Sequence, residues 1–276
     1  TFSAPAFLNG LPLGGAQLAA RTAELTALFD GAGAVGPRHW AARAARASAT
    51  AWAAAAVGQA RAGRLRPAPE RALAIVAAHR DARGEPLSPA VAATELLNVL
   101  RPTVAIAVYL VFVALALHEH PAHRARIAAG DDAFTTAFVH EVRRAYPFFP
   151  ATAARVRATF EWRGMTFPAG RRALLDLHGL HHDPRLWAAP ERFDPSRFLA
   201  ASPDAYAFAP QGGGEHAVHH RCPGEWATVA VMAAVARFLV TRVAYDVPPQ
   251  RLALAMRRLP ALPHSRFVIR RVRTLD

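Results

Sequence analysis

Lysine is absent from the sequence, so all 33 basic side chains among its 276 residues are arginines. Against 20 acidic residues they give a formal net charge of +13 at pH 7. Proteins that bind nucleic acids usually gather positive charge on one face or in one tail, whereas these arginines are scattered over the whole length. The sequence therefore predicts no nucleic-acid partner.

Cysteine is scarce, since the sequence contains one, Cys222. A single cysteine excludes an internal disulfide and any zinc or iron–sulfur centre built from several thiolates. The sequence does not open with a basic segment followed by an apolar one, so no signal peptide is expected. The longest apolar run, residues 104–117, has the length of a core helix rather than of a membrane span. We therefore expect a cytoplasmic protein without a membrane span. The sequence leaves the oligomeric state open, and a monomer is the default expectation.

Helical patterning dominates what the sequence does contain. Hydrophobic residues make up 53% of the chain and charged residues 19%, which supplies enough apolar material for a substantial core. Apolar residues at helical spacing predict helices at about residues 17–29, 41–63, 70–82, 89–117, 122–129, 132–146 and 226–243. Valines and aromatic residues predict short strands between residues 152 and 177, and the tail after residue 243 predicts more. The predicted fold class is mainly α with a small β component.

Cys222 lies directly before the last predicted helix, in the run His-His-Arg-Cys-Pro-Gly at residues 219–224. Unpaired amide groups at a helix N-terminus stabilise a thiolate. Gly224 would let a large, flat group approach the backbone, and a bendable glycine loop, residues 212–214, lies upstream. A buried structural thiol is the alternative interpretation.

Glu141 and Arg144 lie three positions apart on one predicted helix, close enough to form an ion pair. Arg197, in the segment Pro-Ser-Arg-Phe at residues 195–198, offers a further guanidinium for the same carboxylate. Taken alone, the pair is a weak signal, because most such pairs are solvated surface contacts.

Arg101 lies inside the predicted apolar helix and is followed by Pro102. An arginine in an apolar helix costs free energy unless an anion meets it. The nearest upstream acid, Glu95, lies six positions away and not on the same helix face. The unmatched guanidinium favours a carboxylate ligand, which it can bind through two hydrogen bonds. A snorkelling arginine, or one paired with a distant part of the chain, is the alternative.

The motifs Glu-x-x-Arg, Pro-x-Arg-Phe and Cys-Pro-Gly occur in an order that resembles the C-terminal half of the cytochrome P450 family. The resemblance implies the cytochrome P450 fold, haem b as cofactor, and a single haem domain over residues 1–276 that lacks the N-terminal part of the family domain. The family's site residues would be Cys222 as the axial thiolate ligand of the haem iron, Gly224 and His220 in contact with the haem, and Glu141, Arg144 and Arg197 as a structural ion triad.

The Arg101-Pro102 pair narrows the resemblance to one branch. Most members of the family carry an acid–alcohol pair at this point of the long helix. This sequence is similar instead to the fatty-acid peroxygenases, which are bacterial α/β-hydroxylases and a related decarboxylase. Glu215 and Val218 stand where the wider family has a phenylalanine and a glycine, a departure that the peroxygenase branch shares.

The branch implies hydroxylation of long-chain fatty acids at the α or β carbon, with hydrogen peroxide as oxidant and without a reductase. Arg101 and Pro102 would be catalytic. Arg101 would hold the substrate carboxylate, which would itself act as the acid–base group toward hydrogen peroxide. Phe29 and Phe148 would contact the acyl chain, although aromatic residues at helical spacing are more often ordinary core.

Three other functions stay open at this point. They are a decarboxylase of the same branch that forms terminal alkenes, a reductase-dependent monooxygenase, and an inactive basic fragment. The family's loop over the distal haem face and its propionate-binding helix have no counterpart in the sequence. This predicts weak or no stable haem binding by these 276 residues alone.

Overall fold

Helices dominate the computed structural model, as the sequence rich in alanine and leucine predicts. The structure describes residue 11 and residues 13–275. Its contacts divide the chain into two compact units, Thr1–Ala107 and Val108–Asp276. The boundary falls within the longest helix, so that helix contributes residues to both units.

The first unit is built from helices. They are α1 (Gly15–Asp30), α2 (Pro37–Arg61), α3 (Ala72–Ala78) and the first part of α4 (Pro89–Glu119). The turn after α1 requires glycine at residue 31, because a Cβ there would lie 2.5 Å from the Cβ of Ala42 on α2. Ala49 and Ala53 of α2 are fully buried, and their small side chains let neighbouring helices approach closely.

Helix α4 begins where the sequence predicts. The backbone N of Val91 donates a hydrogen bond to Ser88 Oγ at 3.4 Å. Pro89 occupies the first helical position, where its missing N–H is not needed. The helix continues through Pro102, and Thr103 Oγ1 donates to the Val99 carbonyl one turn earlier at 2.7 Å.

Helix α4 is the one described helix that is long and apolar enough to cross a membrane. Within its most apolar 18-residue window, 56% is buried inside the protein. Length and composition do not separate a membrane span from a core helix, and this burial favours a core helix.

The second unit contains the rest of α4 and all the later elements. In chain order these are a single turn of 3₁₀ helix (Pro121–His123), α5 (Arg124–Ala128), α6 (Asp132–Ala145), β1 (Ala151–Arg155), β2 (Phe160–Trp162), β3 (Met165–Phe167), β4 (Arg172–Asp176), α7 (Leu177–His181), α8 (Arg197–Ala200), α9 (Glu225–Thr241), β5 (Val243–Asp246) and β6 (Arg270–Thr274). The described strands form antiparallel pairs, β1 with β4, β2 with β3, and β5 with β6. The predicted fold class, mainly α with a small β component, is confirmed.

A short helix, α7, is an element that the sequence analysis does not predict. The strand pattern extends to residue 177, but β4 ends at Asp176, whose carboxylate accepts a hydrogen bond from the backbone N of Gly179 at 2.8 Å. An aspartate that caps the chain in this way favours a helix start over continued strand pairing. Helix α7 bears on function because His181, at its end, accepts a hydrogen bond from the backbone of Ala209, in the stretch that leads to Cys222.

Aromatic rings fill the core of the second unit. Phe112 of α4 is fully buried, and its ring stacks on that of Tyr146 with centroids 5.4 Å apart. The Tyr146 hydroxyl donates to Glu119 Oε2 at 2.7 Å. Phe138 of α6 is also fully buried and meets Phe193 edge-on, with centroids 5.5 Å apart. These contacts hold the end of α4 beside α6.

Replacing Phe112 by alanine is expected to lower the free energy of unfolding by about 3–5 kcal/mol, because the cavity left by a buried aromatic ring closes only partly. Urea unfolding of the purified protein measures the change. Val91 is exposed on the same helix, so Val91→Ala is the matched control and should alter stability by less than about 0.5 kcal/mol. Equal effects of the two substitutions would contradict the packing role of Phe112.

Candidate functional site

Arg101 of α4 is half-buried and lines a cavity of about 180 Å³ in the first unit. The other lining residues are Leu28, Gly31, His39, Ala42, Arg43, Arg46, Thr50, Thr94, Leu97 and Asn98. Thr94, Asn98 and Arg101 follow the spacing of one helix face. The periodicity of α4 therefore directs the Arg101 side chain to the cavity.

The cavity is positively charged. Arg43, Arg46 and Arg101 line it, and no acidic side chain of the described chain does. None of these guanidiniums makes a hydrogen bond or an ion pair with a described residue. Like charges that share a cavity repel each other, and an anion between them relieves the repulsion. The cavity is therefore suited to an anionic group.

The other residues predicted for the substrate site, Pro102, Phe29 and Phe148, are not among the described residues that line this cavity. Pro102 is exposed. Phe29, at the end of α1, is buried but is not among the described residues that line the cavity. Phe148 belongs to the second unit, where its half-buried ring packs against Tyr109 with centroids 4.8 Å apart. Of these residues, Arg101 is the one that the described structure brings to the cavity.

Cys222 is half-buried in the loop that precedes α9. Its backbone N donates to the Gln211 carbonyl at 2.9 Å. Residue 212 must be glycine, because its φ is +97° and a Cβ there would lie 2.1 Å from the His220 carbonyl oxygen. The glycine loop therefore packs directly against the segment that carries the thiol.

The surface beside the Cys222 thiol is open. Among the described residues, and apart from its chain neighbours, a Cβ added at the exposed Gly224 would meet only Cys222 Sγ within 4 Å, at 3.8 Å. His220 is exposed on the same loop. Among the described residues, no group of three or more His, Cys, Asp or Glu side chains could hold a metal ion. One thiol beside open backbone fits a flat prosthetic group that brings the other ligands of its own metal.

Glu141, Arg144 and Arg197 lie together in the second unit. Arg144 Nε and Nη2 each donate to one carboxylate oxygen of Glu141 at 2.8 Å, and both side chains are 0% exposed. Arg197 Nε lies 3.6 Å from Glu141 Oε1. The backbone N of Asp194 donates to the same oxygen at 2.8 Å. The pair is thus part of a buried cluster and not a solvated surface contact.

Both arginines of this cluster also bind backbone carbonyls. Arg144 Nη1 donates to the His181 carbonyl at 2.7 Å. Arg197 Nη2 donates to the carbonyls of Ala189 at 2.8 Å and Arg192 at 3.2 Å. These bonds fix the irregular segment between α7 and α8.

A second buried cluster of charges lies at the start of α9, and the sequence analysis does not predict it. Glu225 accepts hydrogen bonds from Arg143, from Arg221 Nε at 2.6 Å and from His216 Nε2 at 3.0 Å. Burial alone raises the pKa of Glu225, but the hydrogen bonds and charges of Arg221 and Arg143 outweigh it and hold that pKa at about 2. The carboxylate is therefore ionised at neutral pH.

The sequence indicates that Arg143 is buried and paired, but it does not identify the partner. Arg143 follows Val139 by four positions and therefore falls on the buried face of α6. An arginine on a buried face requires a partner. That partner, Glu225, lies 82 positions further along the chain. Glu225 is in the first turn of a helix, where an acidic residue is common because it stabilises the helix dipole. Its position therefore does not mark it as the partner of an arginine. Spacing predicts that Arg143 is paired, but not with which residue.

His181 and Tyr109 tie the Cys222 loop to the rest of the second unit. The backbone N of Ala209 donates to His181 Nε2 at 3.0 Å, and the Tyr109 hydroxyl donates to the Pro210 carbonyl at 3.3 Å. Burial, together with the charge of Arg144, lowers the pKa of His181 to about 3. His181 is therefore neutral, which keeps Nε2 available as an acceptor.

Comparison with known proteins matches part of the chain to one family. A sequence model described as Cytochrome P450 covers residues 133–241. Cytochrome P450 4A7 of Oryctolagus cuniculus is 33% identical over 175 residues, which are 57% of this chain and 33% of that protein. Cytochrome P450 4A10 of Rattus norvegicus is 29% identical over 174 residues, with the same coverage of 57% and 33%. The chain thus aligns with about a third of the length of these curated relatives.

Solved structures match nearly the whole chain. A variant of cytochrome P450SP alpha (CYP152B1) has a TM-score of 0.91 at 48% identity and covers 99% of this chain and 67% of that one. Cytochrome P450EX alpha (CYP152N1) with myristic acid has a TM-score of 0.90 at 43% identity, with coverage of 99% and 66%. A variant of cytochrome P450 OleT with arachidonic acid has a TM-score of 0.89 at 30% identity, with coverage of 99% and 65%. The chain spans about two thirds of these structures.

The neutral, buried His181 predicts that stability falls in acid. The unfolded chain binds a proton at this residue below its ordinary pKa of 6.5, whereas the folded protein does so only near 3. Between these values the unfolded state holds more protons, so the free energy of unfolding is expected to fall as pH drops from about 6.5 to about 3. Above that range His181 contributes no pH dependence.

Urea midpoints measured across this pH range test the assignment. His181→Gln keeps an acceptor oxygen within reach of the Ala209 backbone N but has no titrating group. The variant is expected to show a shallower fall in stability with acid. An unchanged slope would assign the pH dependence to other residues.

Proposed function

The chain belongs to the cytochrome P450 family, and on that premise we propose that the complete protein is a haem-thiolate enzyme that hydroxylates long-chain fatty acids with hydrogen peroxide. Hydroxylation falls on the α or β carbon, close to the carboxylate that anchors the substrate. The observation that carries the proposal is Arg101, which lines a cationic cavity and has no partner among the described residues.

Cys222 is the residue that would hold the haem iron. Its loop is fixed by the hydrogen bond to the Gln211 carbonyl, and the open backbone at Gly224 leaves room for a flat macrocycle. A thiolate-ligated haem supplies the oxidising centre, and its sulfur ligand favours O–O cleavage. His220, exposed on the same loop, is assigned to a haem propionate.

Arg101 binds and orients the substrate. Its planar guanidinium can donate two parallel hydrogen bonds to a carboxylate, which fixes the first carbons of the acyl chain. The charges of Arg43 and Arg46, which line the same cavity, favour the ionised carboxylate. A carboxylate oxygen held by Arg101 can then accept a proton from hydrogen peroxide and return it. Pro102 has no N–H and shapes the backbone directly after the anchor.

We further propose, from the family resemblance, that Phe29 and Phe148 contact the acyl chain. Both offer apolar surface, since Phe29 is buried and Phe148 is half-buried against Tyr109. The assignment rests on the family resemblance and on this apolar character.

Ligands of the similar structures support the substrate class. The P450EX alpha structure contains myristic acid, and the OleT variant contains arachidonic acid. A further P450SP alpha structure is a complex with (R)-ibuprofen. All three ligands are carboxylic acids, and a carboxylate is the group that the cationic cavity at Arg101 suits.

The product of the complete enzyme tests the proposal. With haem, a long-chain fatty acid and hydrogen peroxide, and with no reductase, the complete gene product is expected to form an α- or β-hydroxy acid that mass spectrometry identifies. A terminal alkene would assign the protein to decarboxylation instead. Turnover that requires a reductase and NAD(P)H would contradict the role given to Arg101. Absence of both product and thiolate–haem absorption would contradict the function as a whole.

Arg101→Ala is expected to lower fatty-acid turnover by about a hundredfold or more, because two hydrogen bonds to a charged group, worth roughly 1.5–3 kcal/mol each, are lost. The haem absorption spectrum should stay unchanged, since Cys222 is untouched. Arg46→Ala is the matched control, because Arg46 lines the same cavity but is exposed, and it should have a much smaller effect. Retained turnover in Arg101→Ala would remove the central claim.

A further inference from the structure

Helix α6 carries two adjacent buried arginines that form ion pairs with different carboxylates. Arg144 belongs to the cluster with Glu141. Arg143 points instead to the start of α9, where it pairs with Glu225, and their side chains are 0% and 6% exposed. The Arg143 guanidinium is itself held in place, because Nη1 lies 2.9 Å from His140 Nδ1 and the group lies 5.1 Å from the centre of the Phe208 ring.

Both carboxylate oxygens of Glu225 are used. Oε1 accepts from Arg143 Nη2 and from Arg221 Nη2, the latter at 3.2 Å. Oε2 accepts from Arg221 Nε at 2.6 Å and from His216 Nε2 at 3.0 Å. One buried carboxylate therefore joins α6, the turn at His216 and the residue before Cys222.

These contacts involve the residues on both sides of Cys222 in the sequence. Arg221 directly precedes the thiol, and its Nη1 also donates to the Gly214 carbonyl at 3.0 Å. On the other side, the backbone N of Glu225 donates to the Cys222 carbonyl at 3.2 Å. A displacement of the Glu225 carboxylate therefore shifts both flanks of the cysteine.

We propose that Glu225, held by Arg143, is the positioning residue of the thiol ligand: it clamps the two flanks of Cys222 and thereby fixes where the sulfur lies. The inference rests on the proposed function in so far as Cys222 is the haem ligand. Glu225 acts through the loop and is not itself a catalytic residue.

A second ion pair between the same two helices provides a matched control. Arg237 of α9 pairs with Asp132 at the start of α6, and these side chains are 40% and 79% exposed. This pair connects α9 to α6 without touching the Cys222 loop. Asp132→Asn therefore shows what the loss of an exposed ion pair between α6 and α9 does to the loop. If Glu225 clamps the loop, only its own substitution alters the thiol.

The reactivity of Cys222 in the haem-free complete protein is the first readout. Glu225→Gln keeps the shape of the side chain and removes its charge. It is expected to raise the rate at which iodoacetamide alkylates Cys222 by about tenfold or more, because the clamp holds the thiol half-buried and a loosened loop exposes it more often. Asp132→Asn should leave that rate unchanged. Mass spectrometry of the Cys222 peptide measures the rate, and Cys222 is the chain's one cysteine.

The haem-loaded protein gives the second readout. Glu225→Gln and Arg143→Gln are each expected to speed the loss of thiolate–haem absorption on mild heating. The double variant should lose it no faster than Glu225→Gln alone, since Arg143 acts on the loop through the Glu225 carboxylate. Additive effects, or alkylation and spectral loss at wild-type rates, would overturn the inference.

A further variant and the haem-free measurement separate failure of the clamp from failure of folding or of haem binding. If Glu225→Gln fails to fold, Arg221→Gln leaves the Arg143–Glu225 pair intact and loosens only the loop side, so it should still raise the alkylation rate. If the wild-type protein binds no haem, the proposed function fails while alkylation still tests the clamp. If the wild type shows thiolate–haem absorption and Glu225→Gln alkylates at the wild-type rate, the clamp fails and the proposed function stands.

Discussion

Much of the second unit depends on the burial of three charges on one face of α6. Glu141, Arg143 and Arg144 are fully buried, and charges removed from water destabilise a protein unless each is paired and hydrogen-bonded. Helix α6 can satisfy only the Glu141–Arg144 pair internally. Other partners of these three side chains are distant in the sequence, among them Glu225, the His181 carbonyl and the backbone N of Asp194. The requirement to pair these charges therefore specifies how the irregular segments after the helix must run.

The same requirement explains why the loop around Cys222 has a defined shape although it contains little regular structure. One arginine of α6 reaches it through α7, because Arg144 binds the carbonyl of His181, whose ring accepts from the backbone N of Ala209. The other arginine reaches it from the far side through Glu225. The loop is thus held at its beginning and at its end by neighbouring residues of one helix. Supporting contacts of this kind fix the orientation of a metal ligand, which the ligand alone does not do.

Local signals in the sequence predict most of the fold and part of the site. Helix α4 starts at Pro89, as its predicted range has it, and helix periodicity identifies the described helices of the first unit. These features depend on residues only a few positions apart. The motif around Glu141 and the single cysteine are equally visible. Helix α7 escapes prediction because one capping residue, Asp176, outweighs a strand pattern. The pairing of Arg143 with Glu225 is not predicted, because 82 positions separate the two residues and neither position alone identifies its partner.

Arginines that helices remove from solvent are paired in two different ways in this chain. On α6 the chain supplies a carboxylate for each, and both guanidiniums are buried and paired. On α4, Arg101 lines a cavity with Arg43 and Arg46 and has no acidic partner among the described residues. A structural role would be served by one carboxylate on the facing helix, as Glu225 serves Arg143. A guanidinium that no described carboxylate pairs, and that lies among other cations, destabilises the fold slightly unless an anion from solution binds there. The contrast between the two helices therefore supports the proposal that the partner of Arg101 is a ligand.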